Sequence, residues 1–211
     1  MILCATYVRK TGLFMLAIIV GLAAAIAIGW WQVDGPGVDR LVNKPNAVIS
    51  PIESMSFSLI DHEGASVGPE LLLDRPSMVF FGYTFCPDVC PTTLADISGW
   101  LEDLGPGAER LNVVFISVDP ERDTPEAMAD YVSAFHPKIR GWTGSPDDVA
   151  RAASAFRVAY KKVPLDDGGY SMDHTASVIL FDATGQFRST IDFHEPREIA
   201  VPKIRRVLRD S

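Results

Sequence analysis

Residues 78–104 read MVFFGYTFCPDVCPTTLADISGWLEDL, and the succession of patterns in them decides the fold. Met78–Tyr83 is a continuous apolar run between a proline and polar residues, as in a strand covered on both faces. Thr92–Leu104 carries Leu94, Ile97, Leu101 and Leu104 at the spacing of one helical face, and Gly105-Pro106-Gly107 ends it. Between them lies Phe85-Cys86-Pro87-Asp88-Val89-Cys90-Pro91. Pro91 lacks an amide proton and belongs in the first helical turn, which puts Cys90 near the N-cap and Cys86 on the loop before it. Free amides and the positive dipole end at such a position favour thiolate over thiol, so depressed thiol pKa values are expected. Two sulfurs this close can close a disulfide or hold one soft cation. A strand-to-helix loop ringed by prolines argues against cysteines buried in the core.

Outward from this stretch, buried strands alternate with helices. Met55–Asp61 and a segment near Val67 flank a turn at His62-Glu63-Gly64, and Asn112–Val118 forms a second buried strand. Thr124-Pro125-Glu126 opens a helix whose apolar face includes Met128, Tyr131, Val132 and Phe135. Ser145-Pro146-Asp147-Asp148 starts another, with acidic side chains at its positive end. Val178–Asp182 and Phe187–Phe193 bracket a hairpin turn, and a last helix begins near Pro196. This order is that of an α/β, thioredoxin-like domain, a mixed sheet flanked by helices.

Toward the N-terminus, residues 13–31 (LFMLAIIVGLAAAIAIGWW) hold no charge. A helix needs about 20 such residues to cross the hydrocarbon layer. Arg9 and Lys10 precede the span and Trp30 and Trp31 end it, so the positive-inside bias keeps residues 1–12 in the cytoplasm. One transmembrane helix, a linker over 32–46 and a domain over 47–211 are expected. The location that fits best is a bacterial inner membrane, with a single pass and the C-terminal domain in the periplasm. Ala25-Ile26-Ala27 also resembles a signal-peptide cleavage site, but the apolar run continues past it. Cys4 reads as an incidental thiol on the cytoplasmic side.

The formal net charge of −8 argues against nucleic acid, whose phosphates call for clustered Lys and Arg. Three cysteines are too few for a disulfide-scaffolded small domain. A two-thiolate site wants a third ligand. His62, His136 and His194 read as surface residues, whereas His174 follows the polar loop Asp167–Asp173 and immediately precedes the strand TASVILF. In a thioredoxin-like sheet that junction lies opposite the cysteine helix.

Three blocks, YTFCPDVCPTTL (83–94), SVDPERDTPE (117–126) and DHTASVILFD (173–182), resemble the signature blocks of the Sco/SenC family in order and separation. The resemblance covers roughly Ala47 to Asp210. It implies a thioredoxin-like domain that binds copper through Cys86, Cys90 and His174 and serves cytochrome c oxidase assembly. The implied partners are the copper-site subunit of that oxidase and a copper donor protein, with residues 13–31 in the membrane. Cu(I) favours soft thiolates completed by imidazole. Cu(II) is compatible if an oxygen from Asp88 or water joins. Met172 could add a thioether, while Asp119, Arg122 and Asp123 are expected to form a capped turn on the rim.

The alternative is a thiol–disulfide reductase using Cys86 and Cys90 as its redox pair to keep the recipient's copper-site cysteines reduced. Against it, such enzymes carry C-x-x-C and a cis-proline where this chain has Asp173-His174-Thr175. A peroxiredoxin-type peroxidase lacks the expected placement of threonine and proline. Zinc suits two cysteines and a histidine chemically but leaves the resemblance unexplained.

Overall fold

A computed structural model of the protein describes residues 19–24, 49–166 and 168–209. Residues 19–24 of the expected span are helical, with Ile19, Val20 and Leu22 exposed. The rest of 13–31, the 1–12 tail and the 32–46 linker lie outside the described residues. Among the described residues no helix is long and apolar enough to cross a membrane.

The unit Ile49–Ser211 is built on a seven-stranded sheet. Its strands are β1 (Leu59–Asp61), β2 (Ser66–Val67), β3 (Ser77–Gly82), β4 (Asn112–Ser117), β5 (Ile139–Thr143), β8 (Val178–Phe181) and β9 (Phe187–Ile191). They lie in the order β2-β1-β5-β4-β3-β8-β9. Strands β3, β4 and β5 are parallel, and the pairs toward both edges are antiparallel. The helices are α1 (Val89–Leu104), α2 (Pro125–Ser133), α3 (Pro146–Ala155) and α4 (Arg197–Arg209). Two further strands, β6 (Tyr160–Pro164) and β7 (Tyr170–His174), form a separate hairpin.

All six residues of β3 are buried, as its unbroken apolar run required. Side chains alternate across the sheet. Phe81 therefore joins Phe156, which also meets Phe57 and Phe181, on one face. Phe80 stacks on its register partner Phe115 on the other, and Phe115 meets Tyr131 of α2. That second face carries the cysteines.

Several expectations need correction. The first strand covers only Leu59–Asp61, and Ile52–Ser54 is a 3-10 turn. Helix α1 starts at Val89 rather than Thr92, so Asp88 takes the N-cap position and Cys90 lies inside the first turn. β5 was not anticipated, because Ile-Arg-Gly-Trp-Thr breaks the apolar run with Arg140 and Gly141. Gly141 lets α2 pack closely there: a Cβ would meet Met128 and Val132 of α2 at 3.1–3.3 Å. The stretch read as a loop up to Asp173 is largely β7, and Thr175–Ser177 is outside any strand. Lys161 and Lys162, both exposed on β6, deny that hairpin an apolar alternation.

Candidate metal centre

Strand β3 ends at Gly82, and the chain reaches α1 through residues 83–88. Cys86 sits on this loop, half-buried, its amide donating to the Tyr83 carbonyl at 3.3 Å. Cys90 belongs to the apolar stripe of α1 with Leu94, Ile97 and Leu101, and it is fully buried. The expectation that prolines around the loop keep both cysteines out of the core is wrong for Cys90. Its position four residues before Leu94, on the same helical face, was the signal for burial. The amide of Cys90, one of the free donors at the start of α1, points at Cys86 Sγ at 3.4 Å.

The two thiols differ. The Cys90 thiol hydrogen-bonds to Cys86 and holds its pKa down to about 3, against the opposing effect of burial; His174 and the Cys90 amide add to the lowering. Cys90 itself is pushed far up, because it is the donor to Cys86 and is buried. The depression expected from helix position therefore applies to Cys86 alone, and in the metal-free site the pair shares one proton.

His174 closes β7, opposite Tyr160 in the hairpin. Its Nδ1 lies 3.0 Å from the Thr175 carbonyl oxygen. A carbonyl only accepts, so Nδ1 carries a hydrogen, and the ring is turned so that Nε2 lies 3.3 Å from Cys90 Sγ. Edge contacts from Phe80 and Tyr83, at 6.2 and 5.9 Å between ring centres, hold the imidazole plane. One ligand atom each from Cys86, Cys90 and His174 lie within 4.8 Å of one another, the only such Cys/His/acid group among the described residues. Three ligand atoms ~2.3 Å from one ion stand about 4 Å apart, the scale on which this group is already assembled, and its two sulfurs and imidazole suit a small soft cation. A cavity of about 430 Å³ opens onto it, lined by Tyr83, Cys86, Pro87, Asp88, Met172 and His174.

Around this group, the β4–α2 turn does more than cap itself. Buried Asp123 accepts hydrogen bonds from the Thr84 amide (3.1 Å), the Thr84 hydroxyl (2.6 Å) and the Ser117 hydroxyl, tying the cysteine loop to the end of β4. Burial raises its pKa, against the pull of those donors. Asp119 pairs with Arg122 and accepts from the Tyr170 hydroxyl at 2.9 Å. Met172 is buried at the cavity wall. His62 bonds the Gly141 backbone and His194 stacks on Phe193, away from the group. Gly82, Phe80, Tyr83 and Tyr170 were not singled out from the sequence, although a glycine inside a buried strand marks a close approach.

The SCO1/SenC family model matches residues 50–209. The chain belongs to that family. Among SCO1/SenC relatives, a SCO2-like protein of Rickettsia felis is 37% identical over 133 residues, 62% of this chain and 65% of that protein. The human mitochondrial SCO1 homolog is 35% identical over 176 residues, 82% of this chain and 58% of that protein. The chain thus spans less than two thirds of the length of these curated relatives. In structure it is similar to Bradyrhizobium japonicum ScoI with copper bound: 43% identity, TM-score 0.68, covering 76% of this chain and 99% of that one. Yeast Sco1 with copper bound is similar at 32% identity and TM-score 0.69, covering 78% and 90%. The thioredoxin-like fold expected from the sequence is the fold observed.

Proposed function

We propose that the protein is a membrane-anchored copper carrier that loads the copper site of cytochrome c oxidase, taking copper from a donor protein on the periplasmic side of the inner membrane. The observation that carries this reading is the convergence of Cys86, Cys90 and His174 ligand atoms within 4.8 Å. Copper is the cargo. Cu(I) binding displaces the Cys90 proton, and two thiolates, neutral imidazole and Cu(I) sum to −1, which the amides at the start of α1 offset. Half-buried Cys86 and the open cavity give an incoming ligand access, so the metal can leave by stepwise ligand exchange. The relatives with copper bound support the choice of metal, and residues 13–31 supply the anchor.

A second reading has its own observation: the thiols are split into an ionised, accessible Cys86 and a protonated, buried Cys90. In it the Cys86 thiolate attacks a partner disulfide and releases one partner thiolate. Cys90 then loses its proton to His174 Nε2 and attacks the mixed disulfide, leaving the partner as a dithiol and the pair oxidised.

Competition titration of the reduced full-length protein in detergent separates the two readings. His174→Ala should bind Cu(I) at least ~10-fold more weakly, since loss of even an indirect partner commonly costs that much, while keeping the Cys86–Cys90 redox couple. Cys86→Ser and Cys90→Ser should fail in both assays. Normal copper binding and oxidase assembly with His174→Ala would put the reductase first.

A further inference from the structure

We propose that Arg122 is a positioning residue for the metal centre, clamping the β6–β7 hairpin so that His174 faces the cysteines; the copper part of its test rests on the metal-site reading above. The hairpin needs such a clamp because β6 and β7 pair with each other and with no strand of the main sheet. Yet His174, at its end, must meet a sulfur on α1 to within a few tenths of an ångström.

Arg122 touches both sides of that gap. Its Nη1 donates to the Tyr170 carbonyl of β7 at 3.0 Å, and its Nε pairs with buried Asp119 at the end of β4. Asp119 in turn accepts from the Tyr170 hydroxyl, so Asp119, Arg122 and Tyr170 form a closed ring of contacts. The guanidinium lies 3.8 Å from the centre of the Tyr170 ring, 4.6 Å from Phe85 and 5.7 Å from Tyr83. Phe85 adjoins Cys86, and Tyr83 braces the His174 ring. One side chain therefore reaches the hairpin and two aromatic rings of the cysteine loop. The Nη2 group is buried without a hydrogen-bond partner. Leaving a buried donor unmade is costly; here the aromatic faces around the cation offset part of that cost. Lysine cannot reproduce this, because it lacks the flat face and the fork of donors.

The test uses the full chain in detergent micelles. In the metal-free protein, nuclear Overhauser contacts from the His174 ring to Tyr83 and Phe80 should be present and should vanish in Arg122→Ala, while contacts within β3 and β4 persist. In copper titration, Arg122→Ala should lose about 10-fold in affinity, the lower end for removing a supporting partner. The double variant Arg122→Ala/His174→Ala should bind no more weakly than His174→Ala, because both changes act through one ligand. Retained ring contacts, or losses that multiply in the double variant, overturn the proposal. If circular dichroism shows that Arg122→Ala does not fold, Arg122→Lys decides by the same two measurements. If His174→Ala binds copper like the wild type, the metal-site reading fails, and the metal-free ring contacts alone judge the clamp.

Discussion

At the scale of single residues, the centre depends on a missing side chain as much as on those present. A Cβ on Gly82 would lie 2.7 Å from Cys90 Sγ and 2.7 Å from the Phe115 ring. Gly82→Ala must therefore push Cys90 off its place or force the core apart, at about 1–3 kcal/mol for an overpacked site. The expected result is a lower denaturant midpoint together with weaker Cu(I) binding; unchanged values for both would show that the strand end yields freely. The thiols offer a pH test. With the Cys86 pKa lowered to about 3, its thiolate is present throughout the range above that value. Iodoacetamide at pH 5 should then label Cys86, where an ordinary thiol of pKa about 8.5 is inert. Cys90, buried and protonated, should stay unlabelled. Replacing Cys90 with Ala removes the main donor, so the Cys86 labelling profile should shift to higher pH. A profile that stays put would assign the depression to His174 and the amides at the helix start instead.

Among the elements, the β1–β2 and β8–β9 turns use one device. Asp61 Oδ1 accepts from the Glu63 and Ala65 amides, both at 2.9 Å, and Asp182 Oδ1 accepts from the Thr184 and Gln186 amides at 2.9 and 3.0 Å. Each turn closes with a left-handed glycine, Gly64 at φ 87° and Gly185 at φ 75°. Their surroundings differ. Nothing lies within 4 Å of a Cβ on Gly64, whereas one on Gly185 would meet Leu73 at 2.7 Å and Ile52 at 3.0 Å. Gly64→Ala should cost about 1 kcal/mol, from backbone strain alone. Gly185→Ala adds overpacking of typically 1–3 kcal/mol and should be the more damaging by thermal denaturation. Equal losses would mean that the second turn shifts away from the core without cost.

The whole molecule brings the three proposed ligands together from two segments, with Cys90 and His174 84 positions apart. Strands β3 and β4 run parallel, so α1 must cross between them and starts at the C-terminal edge of β3. His174 arrives at that edge from the separate hairpin. The other feature at this scale is the attachment of the domain. If residues 13–31 are an uncleaved anchor, the protein should stay with membranes through alkaline washing, and its C-terminal domain should be cut by protease added from the periplasmic side. A soluble form beginning near Ile28 would identify the segment as a cleaved signal.

Much of this was legible in the chain. The run at 78–83, the helical stripe that follows and the turn at Ala183-Thr184-Gly185-Gln186 are local patterns, set by burial and by backbone conformations that few residues tolerate. Placing Cys86 and Cys90 at a helix start needed only Pro91; His174 was reached through the expected fold, although it ends β7 instead of opening the strand that follows. The inequality of the two thiols was not legible, because it arises from depth in the core. Cys90 is buried against a glycine of β3, and its proton is committed to Cys86. Nor was the β6–β7 hairpin, whose exposed lysines show no alternation and whose hold on the domain runs through Arg122 and Tyr170. The sequence by itself determined the kind of fold and the kinds of atoms at its centre. Tertiary structure decided which sulfur is ionised and how the imidazole is aimed, since both depend on neighbours that only packing brings within reach.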